Sequence, residues 1–333
     1  MGALRRRLAA AAALALLAAG CGSATHPTSA ASGAARSSPA TGAHSTSGSG
    51  AGSTSNSSAG STSTSTVPRT TTTTLPVPQP GWTPVTETSK AILTDTRTVH
   101  LPDGASVTLV RFHAGTYRLD FHLGSSDPPG ASTAATALDG DAVSVAERPH
   151  LIAAFNGGFK TDTGSGGVEA DGHVFVPLVT GDASLVVDAN GAARVGVWGQ
   201  GLPAPGEHVV SVRQNLTPLI SNGALSPQIG NVAAWGAELY GVTNTARSAI
   251  GTDPSGNLVY AASMGALPVD LATALSDAGV TNAMELDINP YWIQGDVAAH
   301  PGGPLQAAIP GQQRPADTYL AGWTRDFFAV LAR

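Results

Sequence analysis

Short stretches of alternating hydrophobic and polar residues recur along the chain from residue 97 onwards, and tight-turn signals separate them. Such alternation is typical of half-buried β-strands. The three clearest pairs of strands flank Pro102-Asp103-Gly104, Asp171-Gly172 and Ala189-Asn190-Gly191, whose composition predicts hairpin turns. Further strands are predicted at 208–214, 246–251, 257–262, 280–288 and 327–332.

Helical patterns are fewer. Residues 268–278 begin with proline, place two leucines on one face and are followed by Gly279, which suits the position after a helix end. Residues 131–147 are also compatible with a helix, although Gly140 interrupts them. The pattern therefore predicts an α+β fold, with a single domain that has a mixed, hairpin-rich sheet and few helices.

The N-terminal quarter of the chain lacks these patterns. All aromatic residues lie at or after Trp82, and a segment without aromatics does not build an ordinary core. Arg5–Arg7 precede an apolar stretch, residues 8–19, which is too short to span a bilayer. The sequence predicts a lipoprotein signal peptide at 1–20, a disordered tether at 21–81 and a folded domain at 82–333.

The apolar stretch ends in Leu-Ala-Ala-Gly-Cys, which resembles the bacterial lipoprotein signal. Cleavage before Cys21 would leave that thiol to carry a lipid anchor, so we expect an extracytoplasmic lipoprotein of the cell membrane. Ordinary secretion with a spare thiol is the alternative, because Ala18 stands where the signal usually has leucine. Residues 22–81 are mostly Ser, Thr, Gly, Ala and Pro without hydrophobic periodicity, and burial there does not offset chain entropy.

Charge and missing motifs exclude several functions. The folded part carries all 23 acids against 12 of the 17 basic residues and has no basic run, so nucleic acid is not an expected partner. The single cysteine permits no internal disulfide. The chain has no phosphate loop, no dinucleotide-binding glycine motif and no His-Glu-x-x-His, which predicts neither a cofactor nor a metal. Carboxylates, arginines, asparagines and backbone amides remain for chemistry.

Two segments are candidate anion sites. An apolar run at 151–155 ends in Asn156-Gly157-Gly158, and amides beside two glycines can approach and cradle an anion. A plain turn is the alternative. Arg247 opens a strand with small neighbours and could present its planar guanidinium to a phosphate, although it could equally be a structural arginine.

A third segment carries two carboxylates. In a strand, Glu285, Asp287 and Asn289 point to one side, with the two acids about 6.6 Å apart at Cα. That spacing is near the one at which two carboxyls share acid and base work at a glycosidic bond. A solvated polar face of an edge strand is the alternative. Pro290-Tyr291-Trp292 follows and could supply an aromatic wall for a sugar.

The order and spacing of these segments resemble the phosphodiester glycosidase family from about residue 150 to 333. Asn-Gly-Gly with a following aromatic comes first. The later segments are TPLISNG (217–223), RSAIGTDPSG (247–256) and LATALSDAGVTNAMELD (271–287). One departure is that the family's glycine-rich turn after Leu-Asp is replaced here by Ile288-Asn289-Pro290-Tyr291-Trp292.

The resemblance implies an exported hydrolase that cleaves the bond between a sugar and a phosphodiester, in a cell-envelope glycopolymer. Its implied catalytic residues are Asp287, Glu285 and Arg247, with Arg247 on the phosphate beside the amides of Gly157 and Gly158. Asn156, Asn222 and Asn289 would contact the substrate. A sugar-phosphate-binding lipoprotein without catalysis is one alternative, and a structural envelope protein that binds another protein is a second.

Overall fold

The computed structural model describes residues 79–131, 140–236 and 243–333. The predicted signal peptide, the lipid anchor on Cys21 and nearly all of the predicted tether lie outside the described residues. No helix in the described ranges has the length and apolar character needed to cross a membrane.

The described residues form eighteen strands and two α-helices. The strands are β1 Thr83–Glu87, β2 Ile92–His100, β3 Ser106–Phe112, β4 Tyr117–His122, β5 Leu151–Asn156, β6 Val168–Ala170, β7 His173–Val176, β8 Ala183–Asp188, β9 Ala193–Val197, β10 Val209–Gln214, β11 Ile220–Ser221, β12 Ala224–Leu225, β13 Thr245–Thr252, β14 Leu258–Ala266, β15 Asn282–Glu285, β16 Gly295–Ala298, β17 Leu305–Ala307 and β18 Phe327–Ala332. The helices are α1 Pro268–Asp277 and α2 Thr318–Ala321.

The strands form three sheets. The largest has the order β1-β2-β3-β14-β13-β15-β11-β12, the second β7-β6-β10-β8-β9 and the third β17-β16-β5-β18-β4. Every pairing between these strands is antiparallel. Both faces of the large sheet are covered, since β13 is buried along its whole length.

Two apolar clusters cover the two faces of the large sheet. One packs Leu271 and Leu275 of α1 against β3 and β14. The other joins aromatic residues of three strands, and Phe155 of β5 lies 5.1 Å from Tyr260 of β14 and 5.3 Å from Phe328 of β18 between ring centroids. Aromatic pairs at these distances stabilise a core beyond the area that they bury. The second cluster therefore fixes the third sheet against the large one.

The predicted hairpins and the main predicted helix are confirmed. The turn between β6 and β7 uses Asp171 at φ 48° and Gly172 at φ 74°, the backbone region that Asx-Gly hairpins require. α1 starts at Pro268 as predicted, and Gly279 follows it with φ 87°. The Asp270 carboxylate accepts a hydrogen bond from the Leu267 amide and satisfies one free donor at the helix start.

The fold class needs correction. A sheet-rich fold is confirmed, but the described residues are more β than α+β, and their strand pairs are antiparallel rather than mixed. The predicted helix at 131–147 is not continuous, because residues 140–147 are non-helical; positions 132–139 lie outside the described ranges. Alternation in the sequence specified strands well, but it did not specify how they are distributed over sheets.

Candidate active site

The site lies where β5 ends and β18 begins. These strands pair antiparallel, with Asn156 opposite Phe327. The residues that follow β5 therefore meet the residues that precede β18. This brings Gly157 and Gly158 beside Arg325 and Asp326, which are far apart in sequence.

Gly157 and Gly158 leave no room for a side chain, because Asp326 and Arg213 occupy the positions where their Cβ atoms would lie. A Cβ on Gly157 would overlap the Asp326 carboxylate, and one on Gly158 would lie 2.8 Å from Cζ of Arg213. The Gly157 amide donates to the carbonyl of Asp326 at 3.0 Å. The Gly157 amide, which was predicted to hold phosphate, therefore already has a partner in the protein.

We expect Gly158→Ala to lower the free energy of unfolding by about 1–3 kcal/mol, the usual cost of overpacking. The added methyl meets the buried Arg213 guanidinium rather than the flexible end of a surface side chain. Gly104→Ala at an exposed hairpin has open space and tests only the cost of a positive φ. Urea denaturation measures both. A Gly158 variant as stable as the parent would contradict this packing.

Arg213 and Asp326 form a buried ion pair beneath the loop. Arg213 Nε donates to Asp326 Oδ2 at 2.6 Å, and both side chains are at most 1% exposed. The same guanidinium donates to the carbonyls of Gln214 and Phe159. The pair therefore fixes the loop after β5 by its backbone, which positions Phe159 and the residue that follows it.

Asp287 lies on the opposite wall and is buried, at 4% exposure. Its Oδ1 accepts the amides of Ile288 at 2.7 Å and Asn289 at 2.8 Å, and its Oδ2 lies 3.2 Å from Arg325 Nη2. Burial raises the pKa of Asp287 to about 6, although Arg325 and the two amides oppose the shift. The carboxylate is therefore held rigidly and titrates close to neutral pH.

Arg325 connects Asp287 to the loop after β5. Its Nη2 donates to the Gly158 carbonyl at 2.6 Å, and its Nε lies 3.6 Å from Asp127 Oδ2. Its guanidinium is 5.2 Å from the ring centroid of Trp292. None of these contacts uses Nη1. The guanidinium thus stands between two carboxylates with a donor still available.

A hydrogen-bond network behind Asp287 uses Asn156. The Asn156 amide donates to the Gly157 carbonyl and to Ser248 Oγ, while its oxygen accepts from Tyr260 Oη at 2.8 Å. Ser248 Oγ in turn accepts the Asp287 amide at 3.2 Å. Asn156 is buried and its donors and acceptor are occupied, so it positions the Asp287 backbone.

A cavity of about 390 Å³ opens over Asp287. Its lining consists of Phe159, Lys160, Thr163, Asp287, Ile288, Asn289, Trp292 and Arg325. The indole of Trp292 packs edge-on against Trp323 at 5.5 Å between centroids. The cavity therefore combines an aromatic wall with one buried carboxylate and two cations, a combination suited to a sugar that bears an anion.

Arg247 and Glu285 do not line this cavity. They form a fully buried pair at 2.7 Å, and Arg247 also donates to the carbonyls of Trp235 and Ala266. Burial raises the pKa of Glu285, and Arg247 opposes the shift. A solvated edge strand is therefore wrong as the explanation of Glu285 and Asp287, since both acids are buried.

Arg247 and Glu285 nevertheless approach the site from behind. One of the two carbonyls that Arg247 binds is that of Trp235, and the next residue, Gly236, packs against Phe159 and Ile288 of the cavity wall. Arg247 Nη2 and Glu285 Oε2 have no hydrogen-bond partner among the described residues. Arg247 and Glu285 are therefore placed to support the wall of the cavity from behind, and neither is placed to contact a phosphate in it.

The predicted asparagines separate into different places. Asn289 lines the cavity, and its side-chain oxygen accepts the Tyr291 amide at 3.0 Å, which stabilises the turn. Asn222 lies in the β11–β12 turn at φ 50° and lines a different cavity with Asn282.

No group of three or more His, Cys, Asp or Glu side chains within the described ranges could hold a metal ion. Catalysis without a metal stays a prediction.

Sequence reasoning missed Arg325, Arg213 and Asp326 as members of the site. A signal was present, because Arg325-Asp326 directly precede the apolar run 327–332 as Asn156 directly follows another. Polar residues after one strand and before an antiparallel partner meet at the same edge of a sheet. That signal can be used only when β5 and β18 are known to pair, and the hydrophobic pattern does not show which strands pair.

Residues 149–287 match the model of the phosphodiester glycosidase family. The predicted resemblance is thus confirmed over this range, which ends at Asp287 and leaves out the altered turn and Arg325. The match supports a hydrolase that acts on phosphodiester-linked sugars. No curated protein is significantly similar to the chain.

Several solved structures are similar to the chain, including one from zebrafish and one from Synechocystis. The catalytic domain of zebrafish N-acetylglucosamine-1-phosphodiester alpha-N-acetylglucosaminidase, auto-inhibited by its pro-peptide, is 16% identical, with a TM-score of 0.46 over 76% of this chain and 88% of that one. A hypothetical protein from Synechocystis is 14% identical, with a TM-score of 0.42 over 72% of this chain and 62% of that one.

Proposed function

We propose that this protein is an exported hydrolase that cleaves the bond between a sugar anomeric carbon and a phosphodiester, in a glycopolymer of the cell envelope. The observation that carries the proposal is the juxtaposition of Asp287 and Arg325 at the floor of a cavity with an aromatic wall. A lipid on Cys21 would tether the enzyme to the membrane within reach of that polymer. The match of residues 149–287 supports the class of reaction.

The reaction breaks the bond from C1 to the bridging oxygen, and its electron pair stays with the phosphate. A water oxygen bonds to C1, and its proton passes to solvent or to the phosphomonoester product. Positive charge develops at C1 in the transition state. The ionised Asp287 stabilises that charge, because a buried, preorganised anion acts more strongly than water does.

The anionic phosphate binds the two cations of the cavity. Arg325 offers its guanidinium and Lys160 its exposed ammonium. Trp292 packs against the sugar, and Asn289 contacts its hydroxyls. Arg247 and Glu285 stabilise the wall from behind, and Asn156 holds the Asp287 backbone through Ser248.

One observation favours binding without turnover as a second function. Asp287 Oδ1 is saturated by two amides, and Oδ2 is paired with Arg325, which would suit a carboxylate that only shapes a binding pocket. That function predicts saturable binding of a sugar phosphodiester with no release of sugar. Mass detection of products from a set of glycosyl phosphodiesters distinguishes the two functions.

The pH dependence tests the role of Asp287. Burial raises the pKa of Asp287 to about 6, so the carboxylate is ionised above that pH and neutral below it. We expect kcat/KM for a sugar 1-phosphodiester to rise about tenfold per pH unit below pH 6 and to level off above it. The substrate keeps one negative charge throughout this range. A flat profile between about pH 5 and pH 8 would rule out catalysis by the ionised Asp287.

A further inference from the structure

A second cavity of about 240 Å³ adjoins the one over Asp287. Lys160, Trp292 and Arg325 line both cavities, so a ligand that passes from one to the other crosses two cations and an indole. The remaining lining of the second cavity is Ser126, Asp127, Pro129, Thr161, Asp162 and Thr324. The sequence predictions named none of these six.

The two cavities differ in polarity away from their shared wall. The first adds the apolar side chains of Phe159 and Ile288, together with Asp287, Thr163 and Asn289. The second adds three hydroxyls and two carboxylates, and its side chains of Asp162 and Thr324 are exposed. The second cavity therefore offers hydrogen-bond partners to a group that carries several hydroxyls.

Arg325 is built into the boundary between the cavities. Its side chain is 7% exposed, and its Nε has no hydrogen-bond partner among the described residues. That Nε lies 3.6 Å from Asp127 in the second cavity, whereas Nη2 lies 3.2 Å from Asp287 in the first. A phosphate bound between the two cavities would therefore contact Arg325, whose guanidinium faces both of them.

We propose that the second cavity is a subsite for the alcohol on the far side of the phosphate, and that it selects a small hydroxylated group such as glycerol over an apolar chain. This inference rests on the proposed function for the placement of sugar and phosphate. The volume fits one small unit, since it falls below the roughly 300–1,000 Å³ of sites for drug-sized ligands. Thr161 donates its hydroxyl to Asp127, which leaves Ser126, Asp162 and Thr324 to contact the hydroxyls of the alcohol.

The test compares two ligands that differ only in this alcohol. They are the glycerol and propyl diesters of N-acetylglucosamine 1-phosphate, and calorimetry measures their binding to the full chain with Asp287→Asn, so that turnover does not interfere. We expect the glycerol diester to bind at least about fivefold more tightly. Ser126→Ala, Thr324→Val and Asp162→Asn, each added to that chain, should reduce this preference by roughly two- to tenfold. The two hydroxyl substitutions should leave the propyl affinity unchanged, because they change no charge.

Thr98→Val is the matched control, because Thr98 is exposed on β2 and lines neither cavity. Equal affinity for the two diesters, no affinity for either, or a preference that survives all three substitutions would overturn the subsite. Hydrolysis is tested separately with the parent chain. A parent that prefers the glycerol diester but releases no sugar would refute the proposed function and leave the subsite in place.

Discussion

Asp287→Asn is expected to lower kcat/KM for a sugar 1-phosphodiester by about 10²–10⁴-fold. The amide keeps an oxygen that can accept the amides of Ile288 and Asn289, so the loop geometry is retained. What is lost is the negative charge beside C1 at the moment when positive charge develops there. Steady-state kinetics of sugar release measure the effect.

The same substitution should not destabilise the protein at neutral pH. The folded state raises the pKa of Asp287 from 3.8 to about 6, so it binds that proton more tightly than the unfolded chain does. The free energy of unfolding therefore falls as pH rises through this window, and asparagine removes that cost. Asp103→Asn is the matched control, since Asp103 also accepts the amide two residues later but is exposed in a hairpin. Full activity in the Asp287 variant would exclude the assigned role.

Asp326→Asn is expected to lower the free energy of unfolding by about 3–5 kcal/mol. Arg213 has no exposed surface and stays charged, so the loss of its counter-charge leaves an unpaired cation in the interior. Arg213 also holds the Phe159 carbonyl, and the cavity wall should loosen with it. Urea denaturation followed by tryptophan fluorescence measures the midpoint.

A double variant separates the ion pair from packing. Arg213→Met combined with Asp326→Leu removes both charges, and its cost should be smaller than the sum of the two single substitutions. Strict additivity, or a cost of Asp326→Asn within about 0.5 kcal/mol of zero, would contradict the view that this pair stabilises the loop after β5.

Local patterns predicted much of the fold. The Asp171-Gly172 hairpin, α1 with Gly279 after it, and β18 follow from residues that are adjacent in sequence. Alternation failed near Glu285, because β15 ends there and the following residues are buried on both sides. A pattern of alternate polar residues does not distinguish a solvated face from acids that are buried beside arginines.

The sequence predicted the part of the site that lies in one segment and missed the part that strand pairing brings to it. Asp287 and Asn289 line the cavity and were found through their own segment. The arginine nearest to Asp287 is Arg325 rather than Arg247, and only the pairing of β5 with β18 brings it there. Arg247 and Arg325 both stand beside small or polar neighbours in sequence, so composition alone does not decide which one a ligand can reach.

Hydrolysis of a sugar 1-phosphodiester in water enriched in ¹⁸O tests the central claim most directly. Cleavage between C1 and the bridging oxygen places the heavy oxygen in the released sugar and none in the phosphomonoester, and Asp287→Asn should release almost no sugar. Heavy oxygen in the phosphate, or the same rate of release from the Asp287 variant, would contradict glycosidic cleavage at this cavity.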